Sequence, residues 1–200
     1  MERYTNFTYE LDGNLYINLT SRCTNDCTFC VRNEKSEYFG HKLWLEREPT
    51  AEEVIERLPQ DVHRYREYVF CGFGEPTIQL DVMLKIAQEL KKRGATVRLN
   101  TNGQANLIHG RDVSGELCGK IDKINVSLND ATAEGYVRLC RPTYGEKAFD
   151  ALREFARGCA EKGIDTWFSV VDVIGKDKIE KCKAIAEECG VALRIREYIP

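Results

Sequence analysis

Several things the chain lacks narrow its possible roles. It has no run of about 18 apolar residues, so no membrane-spanning helix is expected. The opening Met1-Glu2-Arg3-Tyr4 is polar and carries no apolar segment of a secretory signal. The 29 basic and 32 acidic residues leave a net charge of −3, so no global positive surface draws in nucleic acid. The three histidines, His41, His63 and His109, share no metal-site spacing and read as surface residues. The two tryptophans, Trp44 and Trp167, read as packing residues. There is no low-complexity segment and no linker that would split the chain.

What remains is enough for a folded domain. Two hundred residues, 42% hydrophobic and 30% charged, bury a real core and fit one domain spanning 1–200. Cysteine is abundant: there are nine, an odd number at irregular spacing. With no export signal they lead to the expectation of a reducing cytoplasm. Cys118, Cys140, Cys159, Cys182 and Cys189 read as small buried apolar residues in helical patterns.

Three cysteines stand apart. Cys23, Cys27 and Cys30 lie within eight residues, directly after the alternating run Leu15–Thr20. Such alternation reads as a strand, so the thiols sit on a loop leaving a strand's C-terminal end. Soft thiolates grouped this closely are candidate ligands for an iron–sulfur cluster or for zinc. A closed site wants four ligands, and the local count stops at three. One metal position would then be open. Taken alone, the loop also fits a zinc- or cluster-binding module without further chemistry.

The remaining pattern alternates strand and helix. A helix is expected from Thr50, whose pairing with Glu53 forms a capping box, to about Leu58. Strands are expected at 67–71, 95–101, 121–128, 164–173 and 191–199. Helices are expected at 80–93, 111–118, 148–162 and 177–189, several of them stopped by a glycine. Residues 34–49 are the least regular stretch and read as a loop over the site. Six strands with intervening helices give an α/β fold with a parallel sheet and right-handed crossovers. Six units are two short of a closed eight-fold barrel. The expected fold is an open, six-stranded partial (β/α)6 TIM-type barrel.

On four strands the apolar set alternates with a polar one. Tyr16, Asn18, Thr20, Arg98, Asn100, Asn125, Ser127, Arg194 and Arg196 oppose Leu, Ile and Val. Helices must cover the apolar face, so the polar set points into the barrel. A polar lumen costs desolvation unless something occupies it, which points to a binding cavity. Arg98, Arg194 and Arg196 are the candidate substrate contacts, for an anionic group.

Three strand ends carry further signals. Phe70-Cys71-Gly72-Phe73-Gly74-Glu75-Pro76-Thr77 ends the second strand; its glycines admit close backbone approach, and its carbonyls and the Glu75 carboxylate could accept from an ammonium. Asn100-Thr101-Asn102-Gly103 ends the third, and Ser127-Leu128-Asn129 the fourth.

The spacing Cys-x3-Cys-x2-Cys, with Phe29 before the last cysteine, resembles the cluster loop of the radical S-adenosylmethionine (SAM) enzymes. Phe73-Gly74-Glu75-Pro76 is similar to that family's Gly-Gly-Glu-Pro segment, with Phe73 in place of the first glycine. At closer range, residues 16–32, 71–77 and 194–200 resemble the small radical SAM proteins named for their association with the TatD nucleases. The resemblance implies the radical SAM core fold and a [4Fe–4S] cluster on Cys23, Cys27 and Cys30, with SAM chelating the fourth iron. It implies SAM contacts from Phe29, Gly72, Phe73, Gly74, Glu75 and Pro76, from Asn100, Thr101 and Asn102, and from Ser127, Asn129 and Arg138. Val171 and Asp172 would pack the adenine. The implied reaction is reductive cleavage of SAM to a 5′-deoxyadenosyl radical that takes hydrogen from a substrate. An electron donor such as flavodoxin or ferredoxin is implied as partner. The substrate is either a small anionic molecule or another protein that the enzyme activates. No general base is assigned.

Overall fold

The computed structural model describes residues 5–35 and 37–198. The polar opening 1–4 and the residues 199–200 that close the last motif lie outside the described residues, as does Ser36 in the irregular stretch.

The chain begins with a hairpin of β1 (Thr8–Leu11) and β2 (Asn14–Ile17). Asp12 and Gly13 join them, both at positive φ (48° and 71°), the primed-turn geometry that matches strand twist. The long loop after β2 runs into the short α1 (Val31–Glu34), then a two-stranded flap of β3 (Glu37–Tyr38) and β4 (His41–Lys42). Next come α2 (Ala51–Ile55), β5 (Tyr68–Phe70), α3 (Leu80–Lys92) and β6 (Val97–Thr101). Then follow α4 (Ala105–His109), α5 (Ser114–Leu117), β7 (Lys123–Ser127), α6 (Ala133–Cys140) and α7 (Lys147–Glu161). The fold ends with β8 (Asp165–Val171), α8 (Lys176–Glu188) and β9 (Ala192–Arg196).

The main sheet has the order β1-β2-β5-β6-β7-β8-β9. From β2 onward every neighbouring pair is parallel. Those are the six expected strands. The seventh, β1, is an antiparallel edge that the strand–helix alternation did not disclose. The sheet is open, with β1 and β9 at its edges.

Helices cover one face, as the alternation requires. Leu15, Ile17, Tyr68, Phe70, Val97, Leu99, Ile124, Val126, Phe168 and Val170 turn outward into a single core. Leu80, Met83, Ile86, Ala87 and Leu90 meet them from α3 at helical spacing. Burying one such large side chain contributes about 1.5–3 kcal/mol. The capping box forms as expected: Glu53 N donates to Thr50 Oγ1 (3.2 Å) and Thr50 N to Glu53 Oε2 (2.9 Å).

Three local expectations change. The helix expected at 111–118 is shortened to α5, and an unexpected short helix, α4, precedes it, ended by Gly110 at positive φ. Residues 133–140, for which no helix is expected, form α6, capped by Thr132 Oγ1 accepting from Gly135 N. Cys140, Cys159, Cys182 and Cys189 are buried, but Cys118 is exposed just beyond the end of α5. Among the described residues no helix is long and apolar enough to cross a membrane.

Candidate active site at the mouth of the sheet

The loop 18–30 leaves the C-terminal end of β2 and is held from both sides. On one side it docks on the end of α6: Asp26 N donates to Cys140 O (3.0 Å), Thr28 N to Leu139 O (2.9 Å), and Thr143 N to Thr24 O (2.8 Å). On the other side, Thr20 Oγ1 and Arg22 Nε donate to Glu48 Oε1 at 2.6 and 2.7 Å. Arg32 crosses over the loop, donating to Phe73 O (3.2 Å) and Asn25 O (3.1 Å).

Beneath it lies a buried polar network. The Tyr136 hydroxyl accepts from Asn25 Nδ2 (3.0 Å) and Gln104 Nε2 (3.1 Å). Gln104 Nε2 also donates to Asn25 Oδ1 (2.7 Å). Asn102 Nδ2 donates to Thr24 Oγ1 (2.8 Å) and lies 3.9 Å from Cys23 Sγ. These bonds tie the loop to β6 and α6, although Gln104 Oε1 within the network has no partner. None of Asn25, Arg32, Gln104 or Tyr136 is marked by local spacing.

Glu75 is buried, and its carboxylate is filled from within the chain. Oε1 accepts from Thr77 N (3.1 Å), Thr77 Oγ1 (2.7 Å) and Thr101 Oγ1 (2.7 Å), and Oε2 from Asn102 N (2.7 Å). A carboxylate offers about four acceptor sites. Glu75 therefore ties the end of β5 to the end of β6, and the neighbouring backbone carbonyls are what the loop has left to offer an ammonium. Pro76 is buried and opens the short 3-10 turn Pro76–Gln79. The two glycines are needed for packing: a Cβ on Gly72 would lie 2.0 Å from Asn18 Oδ1, and one on Gly74 would lie 2.3 Å from Thr20 O.

Burial pushes the Cys23 thiol up to about 12, and the nearby Glu75 carboxylate adds to it. Cys27 is raised further, first by its hydrogen bond with Cys140 and then by burial. Burial raises Cys30 as well. Three neutral thiols on one short loop, costly to ionise alone, suit a positively charged centre that takes them as thiolates. Among the described residues no three His, Cys, Asp or Glu side chains converge as a site for a single ion. An iron–sulfur cluster does not ask for that convergence, because each thiolate takes a different iron. The donor set fits such a cluster.

Beside Cys30 opens a cavity of about 270 Å³. Phe29, Gly72, Phe73, Ser127, Val171 and Arg196 line it. These expected residues, from β2, β5, β7, β8 and β9, are brought together. Tyr9 from β1, Val31, Tyr38 from the flap, Leu43, Cys71, Glu197 and Tyr198 complete the wall. The other expected residues fall outside that lining. Thr101 and Asn102 are buried and engaged with Glu75. Asn100 faces the lumen and hydrogen-bonds the Cys71 thiol. Asn129, at positive φ, donates to Cys140 Sγ (3.5 Å). Asp172 is exposed and accepts from Tyr198 N (3.0 Å). Arg138 is on the outer face of α6, 68% exposed and paired with Glu134. It is not brought to the cavity. Arg98 sits at the opposite, N-terminal end of the lumen, where it pairs with Glu67 (2.9 Å), which also pairs with Lys123 (2.8 Å). Arg194 stacks on Trp167, its guanidinium carbon 3.8 Å from the ring centroid.

An open, mostly parallel α/β sheet with a three-cysteine loop and a cavity at the carboxyl ends of its strands is an arrangement suited to holding a cofactor at the strand ends. The sequence matches the Radical SAM superfamily over residues 17–189, and the chain belongs to that superfamily. It is 28% identical over 193 residues to GTP 3′,8-cyclase of Rhodococcus opacus (strain B4), covering 93% of this chain and 51% of the relative. It is 32% identical over 136 residues to GTP 3′,8-cyclase of Corynebacterium glutamicum (strain R), covering 64% and 33%. The chain thus spans about half of the first relative and about a third of the second. The fold is similar to Streptococcus suis SuiB bound to S-adenosylmethionine, with a TM-score of 0.72, 16% identity, and coverage of 94% of this chain and 41% of that one. It is also similar to TYW1 with a lysine-pyruvate adduct bound, with a TM-score of 0.67, 16% identity and coverage of 94% and 65%. The α/β fold and membership of an enzyme superfamily are thereby established.

Proposed function

We propose that the protein is a radical SAM enzyme whose [4Fe–4S] cluster is held by Cys23, Cys27 and Cys30. The observation that carries this is the three-cysteine loop, clamped by Arg32 against Phe73 and opening through Cys30 on a cavity at the strand ends. When bound, cluster and SAM supply a one-electron cleavage that yields methionine and a 5′-deoxyadenosyl radical. The chain's own residues position and exclude. Carbonyls of the Gly72–Gly74 turn would receive an ammonium, with that of Phe73 already accepting from Arg32, and Ser127 and Val171 would offer a polar and an apolar contact to a nucleoside. Phe29, Leu43 and Phe73 keep water from the cavity wall. No acid–base pair is needed to cleave SAM, and none is assigned.

The electron comes from a small donor protein such as a flavodoxin or ferredoxin. Nine free cysteines and an oxidisable cluster suit the reducing cytoplasm. The named cyclase relatives take a nucleotide, which is consistent with a small anionic substrate. A second reading, activation of a partner protein, draws on the exposed Trp44, which packs edge-on against the cavity residue Phe73, and on exposed Tyr198 in the cavity wall.

The test is anaerobic. The chain is reconstituted with iron and sulfide, given SAM and a strong reductant, and assayed for 5′-deoxyadenosine beside Cys27→Ala. Product that depends on Cys27 is expected. A chain that takes up no cluster and binds no SAM sinks the proposal.

A further inference from the structure

The lumen below the cavity holds unfilled hydrogen-bonding capacity. By register, Asn100 lies beside Asn125, and Asn125 beside Trp167. The next row toward the mouth is Ser127, Ser169 and Arg194, and the row above is Val171 and Arg196. Ile124 and Val126 turn into the helical core, so Asn125 between them faces the lumen. Asn125 is 5% exposed. Its Oδ1 has no partner, and neither does Oδ1 of Asn100. Two adjacent buried acceptors thus face the same space without a donor.

The cations are distributed unevenly along the same lumen. At the N-terminal end, Arg98 and Lys123 are both paired to the single carboxylate of Glu67. At the mouth, Arg194 and Arg196 are exposed and have no carboxylate partner among the described residues. Arg194 lies flat on Trp167, which leaves its N–H edge free. Rows of lumen-facing residues are two positions apart, so Arg194 and Arg196 lie about 7 and about 13 Å above the asparagine row along the strands.

We propose that the lumen binds a small two-ended substrate. Its N–H donors would reach down to Asn125 and Asn100, and its carboxylate or phosphate would be held between Arg194 and Arg196. The orientation follows from the pairing: the deep cations are both tied to Glu67, the asparagine row offers acceptors, and the mouth carries two arginines with no ion pair among the described residues, with Glu197 beside them in the cavity wall. Ser127 and Arg196 line the cavity, which places the ligand's path past Cys30. Ring lactams, amides and amines with an acidic tail have this chemistry. Neutral sugars and simple acids lack one half of it. The inference rests on the radical SAM reading only in taking the lumen as a substrate site.

The experiment is calorimetric titration of the cluster-loaded, SAM-bound protein with four probes. Guanosine 5′-monophosphate and orotate carry both ends, with phosphate and carboxylate respectively. Guanosine lacks the anion, and ribose 5-phosphate lacks the ring donors. One two-ended probe should bind at least about tenfold tighter than either half-probe, and the tighter of the pair identifies the anion. Asn125→Ala and Arg194→Gln should each weaken it about tenfold or more. Asn125→Ala should leave the melting temperature unchanged or raised, because an unpaired buried amide supports nothing. Equal binding of guanosine and its monophosphate, undiminished binding by Asn125→Ala, or no binding of either two-ended probe up to about 10 mM overturns the proposal. SAM cleavage without probe binding overturns this inference alone. Probe binding by a chain that takes up no cluster and binds no SAM overturns only the radical SAM reading.

Discussion

The carboxylate of Glu75 accepts the backbone N–H of Asn102 at 2.7 Å, joining the turn after β5 to the turn after β6. Asn102 in turn donates to Thr24 in the cysteine loop. Two adjacent strand ends and the thiol loop therefore share one buried anion. Burial raises the Glu75 carboxyl above its ordinary 4.5, and the donors of Asn102, Thr77 and Thr101 hold it back. The folded chain then binds this proton more tightly than the unfolded chain does. That contribution to stability is fully present below 4.5 and is lost as pH rises from 4.5 through the folded value. Glu75→Gln, neutral throughout, should lack this segment of the profile. It should also be less stable at neutral pH by about 1–3 kcal/mol, because its amide turns a donor on a donor. Urea midpoints from pH 4.5 upward check both points: the gap to wild type should narrow as pH rises.

Gly74 has a neighbour that leaves no room for a side chain. The Cβ of an alanine would lie 2.3 Å from Thr20 O and 2.5 Å from Arg22 O, both backbone atoms of the cysteine loop. Gly110, at φ +64° with nothing within 4 Å, is the reference. Gly110→Ala should cost about 1 kcal/mol and leave the loop intact. Gly74→Ala should cost clearly more and also lower iron uptake, because the loop must shift. Equal losses in chemical denaturation, with equal iron content, would contradict this.

Tyr136 and Asn25 lie 111 positions apart, yet their side chains share a buried hydrogen bond of 3.0 Å. Tyr136→Phe keeps the ring and removes the oxygen that Asn25 and Gln104 share. Leaving buried donors unpaired should cost about 1–3 kcal/mol. The local consequence should be larger than the global one. The amides of Asp26 and Thr28, bonded to the end of α6, should exchange hydrogen faster than those of β6 and β7. Unchanged exchange at these two amides would mean that α6 alone holds the loop.

That long separation explains what the amino-acid sequence disclosed and what it did not. Cys23, Cys27 and Cys30, the 72–76 turn and the 100–103 turn are local in the chain, so their spacing is visible without a fold. The alternation of strands showed which face is polar, and the structure places Ser127, Val171 and Arg196 at one cavity accordingly. The support beneath the loop is assembled from Asn25, Gln104 and Tyr136, at separations of 79 and 111 residues. No local pattern could join them. Arg138 was legible only through helix phase: Tyr136 and Cys140, four apart, face inward, so the position between them faces solvent. The β1 hairpin had a visible Asp-Gly turn, but Thr8–Leu11 is a strand only because Leu15 and Ile17 pair with it.

Cys27 and Cys140 are hydrogen-bonded through their thiols, and only Cys27 belongs to the proposed ligand set. Their roles should separate. Cys27→Ala should abolish cluster uptake. Cys140→Ala removes the contact that raises Cys27 most, so the loop should keep its cluster while the Cys27 thiol ionises more readily. Alkylation of the cluster-free chain reads this directly, because the thiolate is the reacting form. At about pH 8 the exposed Cys118 should be modified first, with Cys23 and Cys27 lagging because burial holds their thiols protonated. In Cys140→Ala the Cys27 rate should rise and the Cys23 rate should not. After reconstitution with iron and sulfide, Cys23, Cys27 and Cys30 should all become resistant while Cys118 stays reactive. Protection of only two of the three would remove the third from the ligand set.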